Sequence, residues 1–484
     1  MEAKISNLLH WLSQSENFEF NNAIEVIDAE HSGRGVYLQV QTSLKRNDVL
    51  ISIPSSYQLN FHSVLYHISK FNKLISISNV TDEIANDSEA TYTKDPRYQA
   101  YSILSQEFLL QLSSFQLLCL YILAEWVLLP EWVLLPEWST KSSVVSFWKP
   151  FFDIWPTQFE LGSIPTIWNC QRSNELTEYY NKLIQLLPYA SLSHMNRITK
   201  LVQADWEVIH PIVDKWNQMF KAKLTLDEQF NKFLHIYFII NSRCLYCEIP
   251  LKKDSEDKIA SNFTMVPLVD FLNHSDTIDK YCYPQVNPFK KDGVVGVGQF
   301  MIRVGEHTYN QLGEQIFLNY GPHSNDFLLN EYGFVIPDNK WNFLDITEVI
   351  IQLLNKTCSK DKDEMIKLLK ENDYWEDYTI NYDEISYRTS VALSLIVSKD
   401  FERVKKFMLG YITEDYFIPK IKSTLVEMLQ HIILNSNNKI SSVNDLIEKN
   451  EEQIPKRYFE NIITIHQDYI KIVQNHLNKI SDWL

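Results

Sequence analysis

The sequence predicts an α+β fold in which a β-rich unit is divided by a long helical insertion and followed by an all-α C-terminal domain. Three observations predict it: the placement of the glycines, short β-branched runs, and long stretches with helical periodicity. Only 11 of the 484 residues are glycine, and nine lie in two segments, two within 33–35 and seven within 293–333. Strands with tight turns need glycine. The clustering therefore indicates a β-rich part that is split by a glycine-poor block.

The predicted strands lie close to the two glycine segments. Arg34–Val40 and Val49–Pro54 are apolar and rich in β-branched residues, and polar turn residues separate them. Runs of this kind are typical of strands. Strand character returns among the glycines of residues 263–335.

Helical periodicity dominates the remainder of the chain. Thr225–Glu228 has the pattern of a capping box, which predicts a helix that runs into Asn241–Leu245. Further helical faces are predicted at spacings of three and four residues. They are Leu112, Phe115, Leu118, Cys119, Ile122 and Leu123, then Val349, Ile350, Leu353 and Leu354, and finally Tyr458, Ile462, Ile465, Tyr469 and Ile472.

The composition limits the class of protein. A net charge of −16 argues against a nucleic-acid-binding surface. It suits a basic protein partner, although the charge can equally serve solubility alone. The six cysteines are scattered, no secretory signal is apparent, and Glu and Pro interrupt the apolar stretches. We therefore expect a protein of the cytoplasm or nucleus without a membrane span.

One tandem repeat interrupts the helical block. Glu125–Pro130 is copied as Glu131–Pro136, and Glu137-Trp138 begins a third copy. Proline every six residues fits neither a helix interior nor a solenoid. The repeat is interpreted as a duplication in a loop after a helix, with an exposed Trp patch as the alternative.

Two motifs in the first half could bind a ligand. Gly33-Arg34-Gly35 allows close approach to the backbone, but it also fits an ordinary turn. Arg243 lies at the predicted end of a helix. Its guanidinium group could bind a carboxylate in a bidentate manner or cap the last carbonyls of the helix. Taken alone, each motif is better explained by a structural role, an ordinary turn or a helix cap, than by ligand binding.

Two further motifs close predicted strands or helices. The first is Asp270-Phe-Leu-Asn273-His274-Ser275, whose polar residues must find partners or form a local turn. No second His or Cys lies at metal-ligand spacing from His274. The second is a pair of Tyr-Gly sequences at Tyr320 and Tyr332, which could converge on one pocket or belong to the core.

In this order, the motifs resemble the SET domain, and more narrowly the branch of the plant Rubisco large-subunit lysine methyltransferase and the yeast ribosomal lysine methyltransferases. The matching segments are Phe147–Pro150, Ser242-Arg243, Asn273–Ser275, Gly313–Gly321, Ser324-Asn325 and Tyr332–Phe334. The resemblance implies a SET-domain β-fold. It assigns residues 1–60 to its N-terminal part, 61–235 to a helical insertion, 236–336 to its C-terminal part with the cofactor and lysine sites, and 337–484 to a helical substrate-binding domain.

The same resemblance implies S-adenosylmethionine as the cofactor. Gly33, Arg34 and Gly35 would contact it through the backbone, with Ser32 at the edge of the loop. Arg243 would bind its carboxylate. Asn273 would hold the amino-acid portion, and His274 would meet the adenine.

The resemblance also implies the residues of methyl transfer. Tyr320 would be the catalytic residue and would contact the cofactor, and Tyr332 would line both the cofactor site and the lysine channel. Asp270 and Tyr283 are further candidates for the channel, with Tyr281 as the alternative to Tyr283. The scheme requires no metal.

The expected function is S-adenosylmethionine-dependent methylation of a protein lysine, with a lysine of a 60S ribosomal protein as the leading substrate. The enzyme is expected to be a monomer that binds a basic protein and contacts neither nucleic acid nor membrane. The alternatives are another cytosolic or nuclear protein as substrate, or an inactive SET-fold scaffold. Intact Tyr320, Asn273, His274 and Arg243 argue against the scaffold.

Overall fold

The computed structural model describes residues 1–29, 33–77, 95–132, 144–172, 175–247, 262–277, 279–291, 294–449 and 454–481. The chain forms two compact units. The first comprises Met1–Leu161, Gln171–Ser173 and Lys200–Gly321, and the second Gly162–Cys170, Asn174–Thr199 and Pro322–Leu484. Part of the predicted helical insertion thus belongs to the second unit. The four boundaries drawn from the sequence stay a prediction.

Short strands alternate with helices along the chain. The strands are β1 (Glu19–Phe20), β2 (Ile24–Ala29), β3 (Gly33–Leu38), β4 (Val49–Ile53), β5 (Leu59–Asn60), β6 (Leu245–Tyr246), β7 (Phe263–Met265), β8 (Asn273–His274), β9 (Tyr281–Lys291), β10 (Val294–Arg303), β11 (Gln315–Leu318), β12 (Phe343–Asp345) and β13 (Thr379–Asn381). The predicted strands at the two glycine segments are confirmed.

The helices of the chain are, in order, α1 (Glu2–Leu12), α2 (Phe61–Phe71), α3 (Pro96–Ser102), α4 (Gln106–Gln111), α5 (Ser114–Ile122), α6 (Leu129–Trp132), α7 (Lys149–Phe152), α8 (Gln158–Leu161), α9 (Pro165–Cys170), α10 (Thr177–Leu186), α11 (Tyr189–Met219), α12 (Leu226–Arg243), α13 (Asn325–Tyr332), α14 (Thr347–Asn355), α15 (Ser359–Glu371), α16 (Tyr387–Ser398), α17 (Phe401–Met408), α18 (Ile418–Glu448) and α19 (Lys456–Ser481). The capping box at Thr225 starts α12 as predicted, because its side chain accepts from the Glu228 N–H.

The main sheet of the first unit has the order β1-β4-β10-β9-β11-β3-β2, and β8 also pairs with β11. A smaller sheet has the order β5-β7-β6. Most pairs are antiparallel, but β11 is parallel to both β8 and β9. The chain segments that carry the predicted motifs therefore meet at β11. Alternate residues such as Val36 and Leu38 are fully buried in the core of this unit.

The tandem repeat is helical where the structure describes it, so the loop interpretation is wrong for residues 125–132. A π-helix, Leu123–Leu128, joins α5 to α6 without a break. Its wider turn accommodates Pro130, which lacks an N–H and would clash in a regular α-helix. Trp132 is buried and stacks on Phe220 with ring centroids 4.3 Å apart. Residues 133–138 lie outside the described residues.

Within the described ranges, Ser114–Trp132 alone has the length and apolarity of a membrane-spanning helix. However, 72% of its most apolar window is buried inside the protein. The segment therefore has the surroundings of a core helix.

The first glutamate of the repeat belongs to a buried ionic cluster. Arg97 lies 2.6 Å from Asp95 and 3.5 Å from Glu125, and the Tyr101 hydroxyl also donates to Glu125. The side chains of Asp95 and Glu125 are almost fully buried. The corresponding residue of the second copy, Glu131, pairs with Lys232 at 3.2 Å and is 41% exposed.

The two copies provide a matched stability test. Glu125→Ala leaves the buried Arg97 with an incomplete set of partners, and such changes cost about 3–5 kcal/mol of unfolding free energy. Glu131→Ala removes an exposed pair and should cost about 0–1 kcal/mol. Urea unfolding of both variants measures the difference. Equal losses would show that the ionic cluster does not stabilise the fold.

The second unit is built mainly from helices around its own core. The predicted helical faces at 349–354 and 458–472 contribute to this core. The long helices α18 and α19 pack against each other, and α16 packs against α18. The sequence did not predict one feature, the two-stranded ribbon of β12 and β13.

Candidate active site

The candidate site is built around β11 and the residues that follow it. The first half of β11 pairs with β3 through Gln315 and Ile316. Its second half, Phe317 and Leu318, pairs with β8. β3, which begins at Gly33, and β8, Asn273–His274, therefore pair with successive halves of the same strand, β11. This brings together two of the predicted motifs.

A side chain joins these two strands directly. Asn273 donates from Nδ2 to the Arg34 carbonyl at 3.0 Å. The Arg34 guanidinium donates to the Ile154 carbonyl and forms an ion pair with Glu160 at 3.1 Å. It also lies over the Phe271 ring, 5.6 Å from the centroid. Arg34 is thus held by the helical insertion and contributes its backbone to the site.

The two glycines of the first motif serve different needs. Gly33 has φ +67°, which favours glycine, and a Cβ there would meet nothing within 4 Å. A Cβ on Gly35 would lie 2.5 Å from Gln315 Nε2 and 2.9 Å from the Tyr37 ring. Gly35 is therefore required for close packing, whereas Gly33 leaves open space beside the backbone.

Arg243 and Asp270 form the charged centre of the site. Arg243 Nε lies 3.7 Å from Asp270 Oδ2, and its Nη1 donates to Ser242 Oγ at 2.7 Å. The Asp270 side chain is only 2% exposed, and its Oδ1 has no hydrogen-bond partner among the described residues. A buried carboxylate oxygen of this kind calls for a donor or cation.

Burial shifts the pKa of both groups. It raises the pKa of Asp270 to about 6, although Arg243 and Arg34 oppose the shift. Burial also lowers the pKa of Arg243, and Asp270 opposes that shift. Two guanidinium groups therefore act on the Asp270 carboxylate, and Glu160 offsets the charge of one of them, Arg34.

Tyr320 follows β11 and packs against His274. The Tyr320 N–H donates to His274 Nδ1 at 3.0 Å, and the two rings stack at 5.1 Å. The Tyr320 hydroxyl donates to the Leu272 carbonyl at 2.8 Å. Burial raises the pKa of Tyr320 well above its ordinary value, with Arg243 opposing and Asp270 reinforcing the shift. The hydroxyl is therefore neutral at physiological pH.

The other predicted site residues make contacts of their own or are not described by the structure. The Tyr283 hydroxyl donates to Asn47 Oδ1 at 2.7 Å, and Tyr281 begins β9 opposite Phe317. Tyr332 ends α13 in the second unit, with its ring 6.0 Å from that of Phe334. Ser32 lies outside the described residues. The roles of these residues stay predictions.

Sequence reasoning missed several residues that hold the site. Glu160, 126 positions from Arg34, neutralises that cation. Phe271 provides a ring for Arg34, and the Leu272 carbonyl orients Tyr320. Phe271 and Leu272 lie inside the Asp270–Ser275 motif, and this is their only signal in the sequence. Glu160 has no signal in the sequence.

The chemistry of these groups fits S-adenosylmethionine. Its amino-acid end carries a carboxylate, which suits Arg243, and an ammonium, which suits a buried carboxylate or main-chain oxygen. The open space at Gly33 suits close contact with backbone groups. Among the described residues no group of three or more His, Cys, Asp or Glu could hold a metal ion.

Comparisons with known proteins match the fold that carries this site. The chain resembles the crystal structure of the SET domain of LSMT bound to lysine and AdoHcy, with a TM-score of 0.56 and 14% identity over 99% of this chain and 91% of that one. Rubisco LSMT bound to AdoMet gives a TM-score of 0.54 with the same identity and coverage. At this identity the likeness concerns the fold alone, and the fold is that of a SET-domain protein.

The sequence comparisons identify the family. The chain is 47% identical over 499 residues to ribosomal lysine N-methyltransferase 2 of Saccharomyces cerevisiae, covering 99% of this chain and 100% of the relative. It is 24% identical to human SET domain-containing protein 4 over 56% of each chain. Residues 342–479 match the family model of the ribosomal lysine N-methyltransferase 2 C-terminal domain. The chain belongs to the ribosomal lysine N-methyltransferase 2 family. This confirms the predicted S-adenosylmethionine-dependent protein-lysine methyltransferase.

Asp270 makes the stability of the fold depend on pH. Its folded pKa of about 6 lies above the ordinary 3.8, so its contribution to stability is complete below about pH 4 and is lost as pH rises through about 6. The loss is about 3 kcal/mol. The unfolding free energy of wild type minus that of Asp270→Asn should therefore fall over this range in urea titrations. A difference that rises with pH would contradict the shift.

Proposed function

We propose that this chain transfers a methyl group from S-adenosylmethionine to a lysine side chain of a ribosomal protein. The observation that carries the proposal is the 47% identity, over 99% of the chain, to a protein named ribosomal lysine N-methyltransferase 2. The net charge of −16 supports a basic substrate, because opposite charge speeds encounter and favours correct partners.

Arg243 would hold the cofactor directly, and Asn273 would position the strand at Gly33 that contacts it. Arg243 would bind the carboxylate, since its described contacts are one long ion pair and one hydrogen bond to a hydroxyl. Asn273 holds the Arg34 carbonyl and so fixes the strand at Gly33, where backbone atoms face open space. When bound, S-adenosylmethionine supplies a methyl group already activated on a sulfonium sulfur.

The chain has to present a neutral lysine amine in line with that methyl group. The lone pair of the amine would form the new nitrogen–carbon bond. The carbon–sulfur bond would break at the same time, and the electron pair of that bond would remain on the sulfur. A dry channel lowers the pKa of the incoming lysine and favours its neutral form. Positioning alone can contribute up to about 7–11 kcal/mol to lowering the barrier.

Tyr320 would orient the amine. Its hydroxyl proton is directed at the Leu272 carbonyl, so the oxygen acts toward the amine as an acceptor. Because its pKa is raised, Tyr320 stays protonated and does not serve as a phenolate base. Its role is then to align the nitrogen lone pair.

We expect Tyr320→Phe to lower kcat at least about 100-fold, because loss of an aligned transition-state contact costs several kcal/mol. Affinity for S-adenosylmethionine should change less than about threefold. Radiolabelled methyl transfer into ribosomal protein measures the first, and isothermal titration calorimetry the second. Undiminished turnover would contradict the catalytic role of Tyr320.

Tyr309→Phe is the matched control for that variant. Tyr309 is also buried in the first unit and also donates its hydroxyl to a main-chain carbonyl, that of Lys280 at 2.6 Å. Its removal should leave kcat unchanged. Equal losses in both variants would assign the effect to structure.

The substrate class can be tested separately from the chemistry. We expect label from S-adenosylmethionine to enter a large-subunit ribosomal protein from cells that lack this enzyme. Mass spectrometry would locate the lysine. Label only in other basic proteins, such as cytochrome c, would leave the methyltransferase but overturn the ribosomal substrate. Cofactor binding without any incorporation would support the scaffold alternative.

We also propose that the chain acts as a monomer in the cytoplasm or nucleus, on a protein and without direct contact to nucleic acid or membrane. These are the compartments in which ribosomal proteins are made and assembled. The acidic composition supports the part of the proposal on nucleic acid, since phosphate backbones bind basic surfaces.

A further inference from the structure

The second unit contains a cavity that is lined by none of the residues assigned to methyl transfer. It has a volume of about 390 Å³ and is lined by α16, α18 and α19 together with the turn at 383–385. Its floor is apolar, formed by side chains that include Leu393, Phe417, Ile421 and Leu425. We call it the acidic pocket, after the carboxylates of its rim, Asp383, Glu384 and Glu414. Its volume is within the range of pockets that take a ligand or an anchoring side chain.

A polar atom in the wall of the acidic pocket lacks a partner. Ser394 of α16 lines the pocket and is fully buried. Its hydroxyl has no hydrogen-bond partner among the described residues. Buried hydroxyls are normally hydrogen-bonded, because leaving one unsatisfied costs about 1–3 kcal/mol. The hydroxyl is enclosed by the protein, so it belongs to the wall behind the apolar lining and does not contact an occupant of the pocket.

The rim of the acidic pocket has an excess of negative charge. Asp383, Glu384 and Glu414 are exposed and form no ion pair among the described residues. Lys479 is the cation of the lining, and its ammonium donates to the main-chain carbonyls of Tyr382 and Asp383. Three carboxylates therefore face one lysine.

The histidine of the lining does not balance this charge. His476 is buried, and its Nε2 lies 2.7 Å from the Asn381 carbonyl. Burial lowers the pKa of His476, although the Asn381 hydrogen bond opposes the shift. His476 is consequently neutral at physiological pH, and the rim attracts cations.

Exposed aromatic rings add a second means of binding cations. Tyr387 lines the pocket and is 41% exposed. Its hydroxyl donates to the Phe407 carbonyl, which holds the ring in place. Tyr382 is 55% exposed and precedes Asp383 in the chain. Lysine and arginine bind favourably over such rings.

We propose that the acidic pocket docks a segment of the protein substrate, with an apolar or aromatic side chain on the floor and flanking Lys or Arg residues at the rim. The proposal rests on the proposed function, because the docked segment belongs to the methylated protein. The apolar floor and the acidic rim together select a basic segment with one apolar anchor. Docking here would lower the KM for the substrate without entering the chemical step.

The test reverses two rim charges in the full-length enzyme. Glu384→Lys/Glu414→Lys changes exposed side chains and should fold normally. The matched control is Glu427→Lys/Asp445→Lys, which reverses two exposed carboxylates of α18 that do not line the pocket. Both variants change the net charge equally, so nonspecific attraction is the same in each.

Steady-state methylation of the labelled ribosomal protein measures the effect. We expect the rim variant to raise KM about tenfold with kcat within about twofold of wild type, and the control to change neither. Equal changes of KM in both variants would show that net charge alone causes the effect and would contradict docking in the acidic pocket. An unchanged KM in the rim variant would overturn it as well. If wild type methylates nothing, the proposed function is contradicted, and this outcome is distinct from a failure of the docking proposal.

Direct binding gives an independent measurement. A fluorescein-labelled peptide, Lys-Arg-Tyr-Arg-Lys, should bind wild type in fluorescence anisotropy and lose at least about tenfold in affinity with the rim variant. A Gln-Gln-Tyr-Gln-Gln peptide should bind far more weakly. If the charged peptide fails to bind wild type, the proposal is wrong. A concentration-dependent dimer in light scattering that the rim variant abolishes would assign the pocket to a second copy and equally overturn it.

Discussion

The backbone pairing of β11 is the constraint on which the candidate site depends. Its four residues, Gln315–Leu318, hydrogen-bond to β3 on one half and to β8 and β9 on the other. These partners come from opposite sides of the helical insertion. Buried N–H and C=O groups must be paired, so this register fixes where each partner strand lies. Tyr320 lies two residues after the end of β11, and its place beside His274 is a consequence of that register.

Electrostatics explains why the site is suited to a zwitterionic ligand. Arg243 and Arg34 both act on Asp270, whereas Glu160 compensates Arg34 from the insertion. In a site of low dielectric, such charges interact more strongly than they would in water. Arg243 and Asp270 retain hydrogen-bonding groups that would suit the carboxylate and the ammonium of such a ligand. Tyr320 is kept neutral by the same burial, which suits orientation of an amine better than proton transfer.

The tandem repeat shows how far local sequence can mislead. Glu125 and Glu131 begin identical hexapeptides, yet one belongs to a buried ionic cluster and the other to an exposed pair. The difference arises from Arg97 and Tyr101, which only the first copy meets. Proline suggested a loop, but a π-turn keeps the first copy helical. Tertiary packing overrode the local preference.

The sequence by itself determined the split α+β architecture, the start of α12 at Thr225 and the order of the motifs, because glycine placement, capping and periodicity are local properties. Asn273, His274 and Tyr320 were nominated by the resemblance of their motifs to the SET domain, because the residues alone left their roles open. Only the tertiary structure decided that Glu160 neutralises Arg34 across 126 residues and that the Leu272 carbonyl receives the Tyr320 hydroxyl. Contacts between distant segments depend on strand register and on the packing of the insertion, and no local pattern encodes either.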